Sequence, residues 1–306
     1  MILLVVGMTA AALASRRAVG AALDASAVSR IPAGAIGATV VAVGTDLPEI
    51  ANSIMAALTD HGDLVLGDAA GSAMTQVTLV LGILLFLATL TVERRSIGSL
   101  GVLTVLGLFL VAVLVSDGEV SRLDGVLLIA AWVVGLILTE RARPAQSEPQ
   151  PARVRHALPH ALRAVGWLGL VGVSAAVVVR SFVEVTDELG VPELVASAVV
   201  LSLGTSLPEL IVDWTAIRRG SSALALGDLF GSSFLDATLA VGIGPALRSV
   251  PVSPEASGLC VIAAVGVAIA TALVVARRRS GRSTGVVLIA VWALCSVALV
   301  AYTGLD

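Results

Sequence analysis

Apolar runs long enough to cross a bilayer follow one another along the chain, near 2–24, 32–57, 64–90, 98–115, 123–139, 162–183, 192–217, 223–246, 257–276 and 285–303. A hydrocarbon core about 30 Å thick takes about 20 apolar residues as a helix. The pattern predicts an all-α polytopic membrane protein with about ten transmembrane helices. The one sizeable polar connection, 141–161, reads "RARPAQSEPQPARVRHALPHA" and predicts a flexible linker between a half at 1–140 and a half at 162–306. The first run ends in "ALAS" but lacks a basic leading segment, so it is read as a span rather than a cleaved signal.

Composition agrees with this reading. The chain is 57% hydrophobic and 13% charged, against about 25% charged in soluble domains. All 19 basic residues are arginine, and with an external N-terminus and ten alternating helices the odd-numbered connections hold sixteen of them. Only Arg122, Arg180 and Arg248 fall in even-numbered connections. The positive-inside rule then places both termini outside and the 141–161 linker in the cytoplasm, in a plasma (inner) membrane. The outer connections are acidic, with Asp60, Asp63, Asp117, Glu119, Glu184, Asp187 and Glu188. Cys260 and Cys295 lie in apolar runs and imply packing, not disulfides. His61, His156 and His160 all fall in connections, which argues against a histidine relay within the membrane.

The second run contains "VAVGTDLPEI" (41–50), where a glycine, a proline and two carboxylates interrupt an otherwise apolar helix. An acid at the centre of a membrane helix costs about 2.5–3.5 kcal/mol on insertion scales, and Gly44 and Pro48 weaken the helix further. The same interruption recurs. Residues 44–82 and 204–242 align without gaps at an offset of 160, with 15 of 39 positions identical. These include Gly44/Gly204, Thr45/Thr205, Pro48/Pro208, Glu49/Glu209, Gly67/Gly227, Asp68/Asp228, Gly71/Gly231 and Ser72/Ser232. Apolar composition makes Leu and Ala coincide, but it does not align Pro, Glu and Asp.

The copies begin five helices apart, so they cross the membrane in opposite directions, as two inverted five-helix repeats. Their loops agree: "DHGD" (60–63) is acidic and "RRGSS" (218–222) is basic. Inverted repeats around a midplane site are typical of secondary transporters. Glu49 and Glu209 each lie nine residues from opposite helix ends, about 14 Å at 1.5 Å per residue, so both reach the midplane. Asp68, Ser72 and Gln76 form one i, i+4, i+8 stripe, and Asp228, Ser232 and Asp236 form another. Their middle members reach the same depth, so one polar centre is expected.

Pro48 cannot donate a backbone hydrogen bond, which makes the carbonyls around Ala42, Gly44 and Thr45 candidates to be freed. Hydroxyls, carboxylates and free carbonyls in low dielectric suit a hard cation with oxygen ligands. Zinc or copper would want the Cys or His that are absent there. Helix packing explains Gly67, Gly71, Gly227 and Gly231 equally well. It does not explain Asp46, Glu49, Glu209 and Asp236, whose joint burial costs on the order of 10 kcal/mol.

"GTDLPEIANS…GDAAGSAMTQ" and "GTSLPEL…GDLFGSSFLD" resemble the two alpha-repeats of the sodium/calcium exchanger family, within the calcium:cation antiporter superfamily. The resemblance implies that Glu49 and Glu209 are central cation ligands, and that Thr45, Ser72, Thr205, Ser206, Ser232 and Asp236 complete sites for calcium or sodium. It further implies calcium exchanged for sodium by alternating access, with helices one and six sliding against the rest. Several residues depart from the family pattern: Asp46 stands for Ser, Asp68 and Asp228 for Asn, Ala73 and Ser233 for Asn, Gln76 for Asn or Asp, and Asp213 for a small hydroxyl. Extra acids raise divalent affinity or supply protonation sites, so Asp46, Asp68, Asp228 and Gln76 join the candidates and a calcium/proton antiporter is the alternative.

Two other classes fit less well. Intramembrane aspartyl proteases use Gly-x-Gly-Asp, but Val65 and Ala225 occupy the first glycine position here and no Tyr-Asp partner exists. A deep site of trapped carboxylates holds ions too long for fast channel conduction. The expected partners are inorganic cations and lipid, with no cofactor, nucleic acid or protein partner implied.

Overall fold

The computed structural model describes residues 2–10, 13, 14, 17, 41–141 and 157–304. Part of the first apolar run, the beginning of the second and residues 142–156 of the expected linker lie outside them. Residues 2–10 are helical. A turn at Ala42–Thr45 leads into α1 (Leu47–Leu58), followed by α2 (Gly62–Leu87), β1 (Leu90–Thr91), α3 (Arg94–Leu114), β2 (Glu119–Val120) and α4 (Arg122–Arg141). The second half opens with α5 (Ala157–Leu189), which begins inside the segment read as linker. Helical turns Glu193–Ala196, Ser197–Leu201 and Ser202–Thr205 precede α6 (Leu207–Arg218). Then come α7 (Ser222–Leu247), β3 (Val250–Pro251), α8 (Ala256–Val275), β4 (Arg279–Ser280) and α9 (Arg282–Tyr302).

Among the described residues, seven helices are long and apolar enough to cross a membrane. They match the expected runs from 64–90 to 123–139 and from 192–217 to 285–303. The distribution of polarity is that of a membrane protein. Large apolar side chains such as Val113 (68% exposed) and Leu294 (69%) face outward, while acids such as Glu209 and Asp236 are wholly buried.

The offset of 160 governs the packing far beyond residues 44–82. Strand β1 pairs antiparallel with β4, Leu90 facing Ser280 and Thr91 facing Arg279. Strand β2 pairs with β3, Val120 facing Val250 and Glu119 facing Pro251. Adding or subtracting 160 turns each pair into the other. Two helix crossings obey the same rule. At one, a side chain on Gly82 would strike Gly285, and at the other a side chain on Gly242 would strike Gly125. Only glycine allows backbones this close. Identity returns here too, since 122–132 "RLDGVLLIAAW" and 282–292 "RSTGVVLIAVW" share seven of eleven residues. Helix α3 packs along α8, its own counterpart.

These equivalences define a pseudo-two-fold axis. The single membrane-crossing helix α3 separates β1 from β2, so the two strand pairs sit on opposite faces and the axis exchanges those faces. The repeats are therefore inverted. Contacts between loops keep the same alternation. Asp60 with Arg248, Asp63 with Ser253, and His61 with Glu193 join even-numbered connections, while Arg94 with Ala276 and Arg282 with Phe86 join odd-numbered ones.

Helix α2 crosses the turn at Ser197–Leu201, with Gly67 over Ser197 and Gly71 against the Ala198 backbone. Those two glycines thus pack helices. Helix α1 is held between α5 and the last turns of α7.

Candidate functional site

The helix is interrupted once in each repeat, at the same place. Asp46 (φ −80°, ψ 8°) and Ser206 (φ −80°, ψ 6°) leave the helical region just before Pro48 and Pro208, which lie in the first turns of α1 and α6. Proline suits a first turn because it has no N–H to leave unpaired. The interruption is mild. Asp46 N–H donates to Ala42 O at 3.0 Å and Ile50 N–H donates to Asp46 O at 3.0 Å. The Thr45 hydroxyl also reaches Ala42 O, at 3.2 Å. The expectation that the Ala42 carbonyl is freed is thus corrected: the chain rejoins its own ladder on both sides of the break.

A second irregularity is shared. The π-helical turns Gln76–Val80 in α2 and Asp236–Ala240 in α7 occupy equivalent positions, and a third lies at Ser197–Leu201. Such turns re-aim side chains and recur at functional sites. Here they coincide with the ends of the two polar stripes.

All twelve sequence-predicted residues are buried: Thr45, Asp46, Glu49, Asp68, Ser72, Gln76, Thr205, Ser206, Glu209, Asp228, Ser232 and Asp236, none more than 4% exposed. Hydroxyls meet across the repeats as symmetry-related pairs, Thr45 with Ser232 (3.4 Å) and Thr205 with Ser72 (3.1 Å). Gln76 Nε2 donates to Asp236 Oδ2 at 3.0 Å, and its Oε1 accepts from Ser233 Oγ at 3.1 Å. Asp68 is satisfied on both oxygens: Oδ2 accepts from Asn52 Nδ2 at 2.9 Å and Oδ1 from Thr205 Oγ1 at 2.9 Å.

The central acids differ from Asp68. One carboxylate oxygen from each of Asp46, Glu49 and Glu209 lies within 4.8 Å of the others. All six oxygens of these residues lack a hydrogen-bond partner, as does Asp236 Oδ1. Buried polar groups are ordinarily paired, and a buried lone charge is far more costly than a lone dipole. No arginine or histidine is among the buried residues described. The three-carboxylate cluster therefore calls for cations or protons, and a hard cation coordinated only by oxygen fits it. Cys260 and Cys295 sit in the apolar core instead.

Sequence reasoning did not single out Asn52, the amide donor to Asp68, or Ser233, the donor to Gln76. Asn52 was findable as a lone amide in an apolar helix, one turn beyond Glu49. Asp213 was noted as a departure but not placed at the site; it is fully buried with both oxygens unpartnered.

Comparisons with known proteins agree with the architecture. The chain is 29% identical over 299 residues to the inner membrane protein YrbG of Escherichia coli, covering 94% of this chain and 92% of that one. It is 29% identical to the putative antiporter CaxA of Alkalimonas amylolytica, over 73% of each chain. It is 25% identical to the sodium/calcium exchanger MaX1 of Methanosarcina acetivorans, over 68% of this chain and 71% of that one. Among solved structures it superimposes on the sodium-calcium exchanger NCX_Mj with a TM-score of 0.66 at 26% identity, covering 97% and 95% of the two chains. The profile described as "Sodium/calcium exchanger protein" matches residues 1–139 and 161–301. The matched segments include both interrupted helices and both polar stripes, and the chain belongs to the sodium/calcium exchanger protein family.

Proposed function

We propose that this membrane transporter is a secondary antiporter that exchanges calcium for sodium by alternating access at one central site. The observation that carries the reading is the cluster of Asp46, Glu49 and Glu209, unpartnered carboxylates drawn from both repeats to within 4.8 Å. Glu49 and Glu209 are the principal ligands, with Asp46 and Asp236 adding charge. Thr45, Ser72, Thr205, Ser206 and Ser232 line the site and replace water around the ions. Asp68, bonded on both oxygens, positions Thr205, and Gln76 positions Asp236. Because sodium and calcium use the same oxygens, one displaces the other. Because the site is buried, it opens to one face at a time.

The full plan is ten helices in two halves, 1–140 and 162–306, joined by the polar connection at 141–161, whose last residues already form the start of α5. Arginine asymmetry supports a cytoplasmic position for that connection and an external one for both termini.

A calcium/proton antiporter is the second reading. It is favoured by Asp46, a third central carboxylate opposite the neutral Ser206. One experiment separates the two. Purified protein in vesicles is loaded with sodium, or given a pH gradient, and radioactive calcium uptake is followed. Uptake driven by the sodium gradient supports the first reading, uptake driven only by the pH gradient supports the second, and uptake that needs neither would indicate a channel.

A further inference from the structure

The two repeats also differ at a buried place beyond the three-carboxylate cluster. In the first, Asp68 accepts from Asn52 and Thr205. Next to Asn52, Ser53 is also taken up: the Gly244 N–H donates to its hydroxyl at 3.2 Å, and Gly244 lies against the Ser53 backbone where any side chain would clash. The polar groups at this level are thus used within the protein.

At the equivalent place in the second repeat, Asn52 becomes Val212, Ser53 becomes Asp213, and Gly244 corresponds to Leu84. The amide donor is gone, a second acid has replaced the hydroxyl, and the glycine that let the helices close is a leucine. Asp213 and Asp228 are both 0% exposed. Helices α6 and α7 pack against each other, and the charges of the two carboxyls act on one another. All four of their oxygens lack a hydrogen-bond partner in the geometry. Two buried, unpartnered acids that repel each other require something positive between them, and no basic residue is among the buried residues described.

Position points to an ion. Asp213 lies one turn beyond Glu209 on α6, about 6 Å along the axis at 1.5 Å per residue. Five residues further on comes Arg218, at the arginine-rich end of the helix. The pair therefore stands between the central cluster and one face of the membrane, and the matching position toward the other face has no such pair.

We propose that Asp213 and Asp228 form a second binding site for a hard divalent cation such as calcium, one helical turn from the central cluster toward the basic face. The site makes the two ends of the transport path unequal: an ion leaving toward the basic face is handed to a second carboxylate pair, and an ion leaving toward the acidic face is not. The inference rests on the exchanger reading for the path, but the ion count tests it separately.

The test counts calcium ions bound per chain, by equilibrium dialysis of the purified full-length protein with radioactive calcium in sodium-free buffer. V212N/D213S rebuilds the first repeat's Asn-Ser pair and gives Asp228 an amide donor. It is expected to bind one ion fewer than wild type. D213N keeps the side-chain shape and serves as a second variant should the double change impair folding; it too should lose one ion. E49Q/E209Q should lose the central ion and keep the second. If wild type and both Asp213 variants bind the same number, the pair shares only a proton and the proposal is overturned. If E49Q/E209Q binds none, the second site does not exist independently and the proposal is equally overturned. If instead E49Q/E209Q binds as many ions as wild type while the Asp213 variants lose one, the central-site reading fails and the second site stands.

Discussion

Gln76 donates to Asp236 across 3.0 Å, and the two residues are 160 positions apart, each the other's counterpart in the inverted repeats. Symmetry-related residues touch each other only where the axis passes, so this bond marks the centre of the molecule. It also marks a departure from symmetry, with an amide on one side and a carboxylate on the other. Replacing Gln76 by Leu would leave Asp236 Oδ2 without its partner, at a cost of about 1–3 kcal/mol for a buried orphan, while the Ser233 hydroxyl keeps its bond to Leu229 O. The expected result is a clearly lowered melting temperature in detergent. Asp236→Asn keeps a bond to Gln76 and should fold normally, yet transport calcium more slowly because a central charge is lost.

The paired glutamates make a stricter demand. Glu49 and Glu209 come from different repeats, and all four of their oxygens lack partners. A glutamine at either position keeps the volume and removes the charge. Each single variant should insert, fold and lose calcium exchange in vesicles almost completely. Near wild-type uptake by either one would move the central site elsewhere.

Much of this was legible because the polar residues that serve the centre cannot drift. Pro48, Glu49, Asp68 and Ser72 repeat at 160 because each fills a defined position near a symmetry axis, and that repeat, with its copies five helices apart, implied the inversion. The continuation through "GVLLIA" and "GVVLIA" was equally present in the sequence, but it lies in apolar helices where coincidence is cheap. Its meaning, two glycine crossings, emerged only with the Gly82–Gly285 and Gly125–Gly242 contacts. The Ala42 carbonyl was misjudged for a local reason: its partner is the Asp46 N–H, which lies before the proline and is not removed by it. Asn52 was invisible as a donor because its partner, Asp68, lies on the next helix.

Gly71 tests whether a repeated glycine serves packing. An added Cβ would strike the backbone of Ala198, which cannot swing aside as a side chain could. Gly71→Ala should therefore cost about 1–3 kcal/mol, the usual penalty for overpacking a core. Thermal unfolding should show that loss, with the preference for calcium over other cations unchanged in the surviving protein. A shift in ion preference at unchanged stability would assign the glycine to the site instead.

Orientation is tested by impermeant thiol labelling. Cys260 and Cys295 are buried, so both are first replaced by alanine. Ser147→Cys, in the expected cytoplasmic linker, should react only after intact cells are opened, and Thr303→Cys should react from outside. The reverse pattern would exchange the faces and place the Asp213–Asp228 pair on the outer side of the path.

Asp46 carries the most specific prediction. It is fully buried, both its oxygens are unpartnered, and one lies within 4.8 Å of carboxylate oxygens of Glu49 and Glu209. Its counterpart Ser206 brings no charge. A divalent ion gains about twice as much as a monovalent ion from each added negative charge at the same distance, because Coulomb energy scales with the product of charges. The third carboxylate therefore tilts the site toward calcium. Asp46→Ser should weaken calcium binding by about tenfold or more, equivalent to about 1.4 kcal/mol, and sodium binding by distinctly less. The reciprocal change, Ser206→Asp, adds a charge at the equivalent position and should raise calcium affinity relative to sodium. Calcium titrations at several fixed sodium concentrations give both affinities for wild type and the two variants. Equal losses for both ions in Asp46→Ser would show that Asp46 does not set the preference for calcium, and an unchanged calcium affinity would remove it from the site.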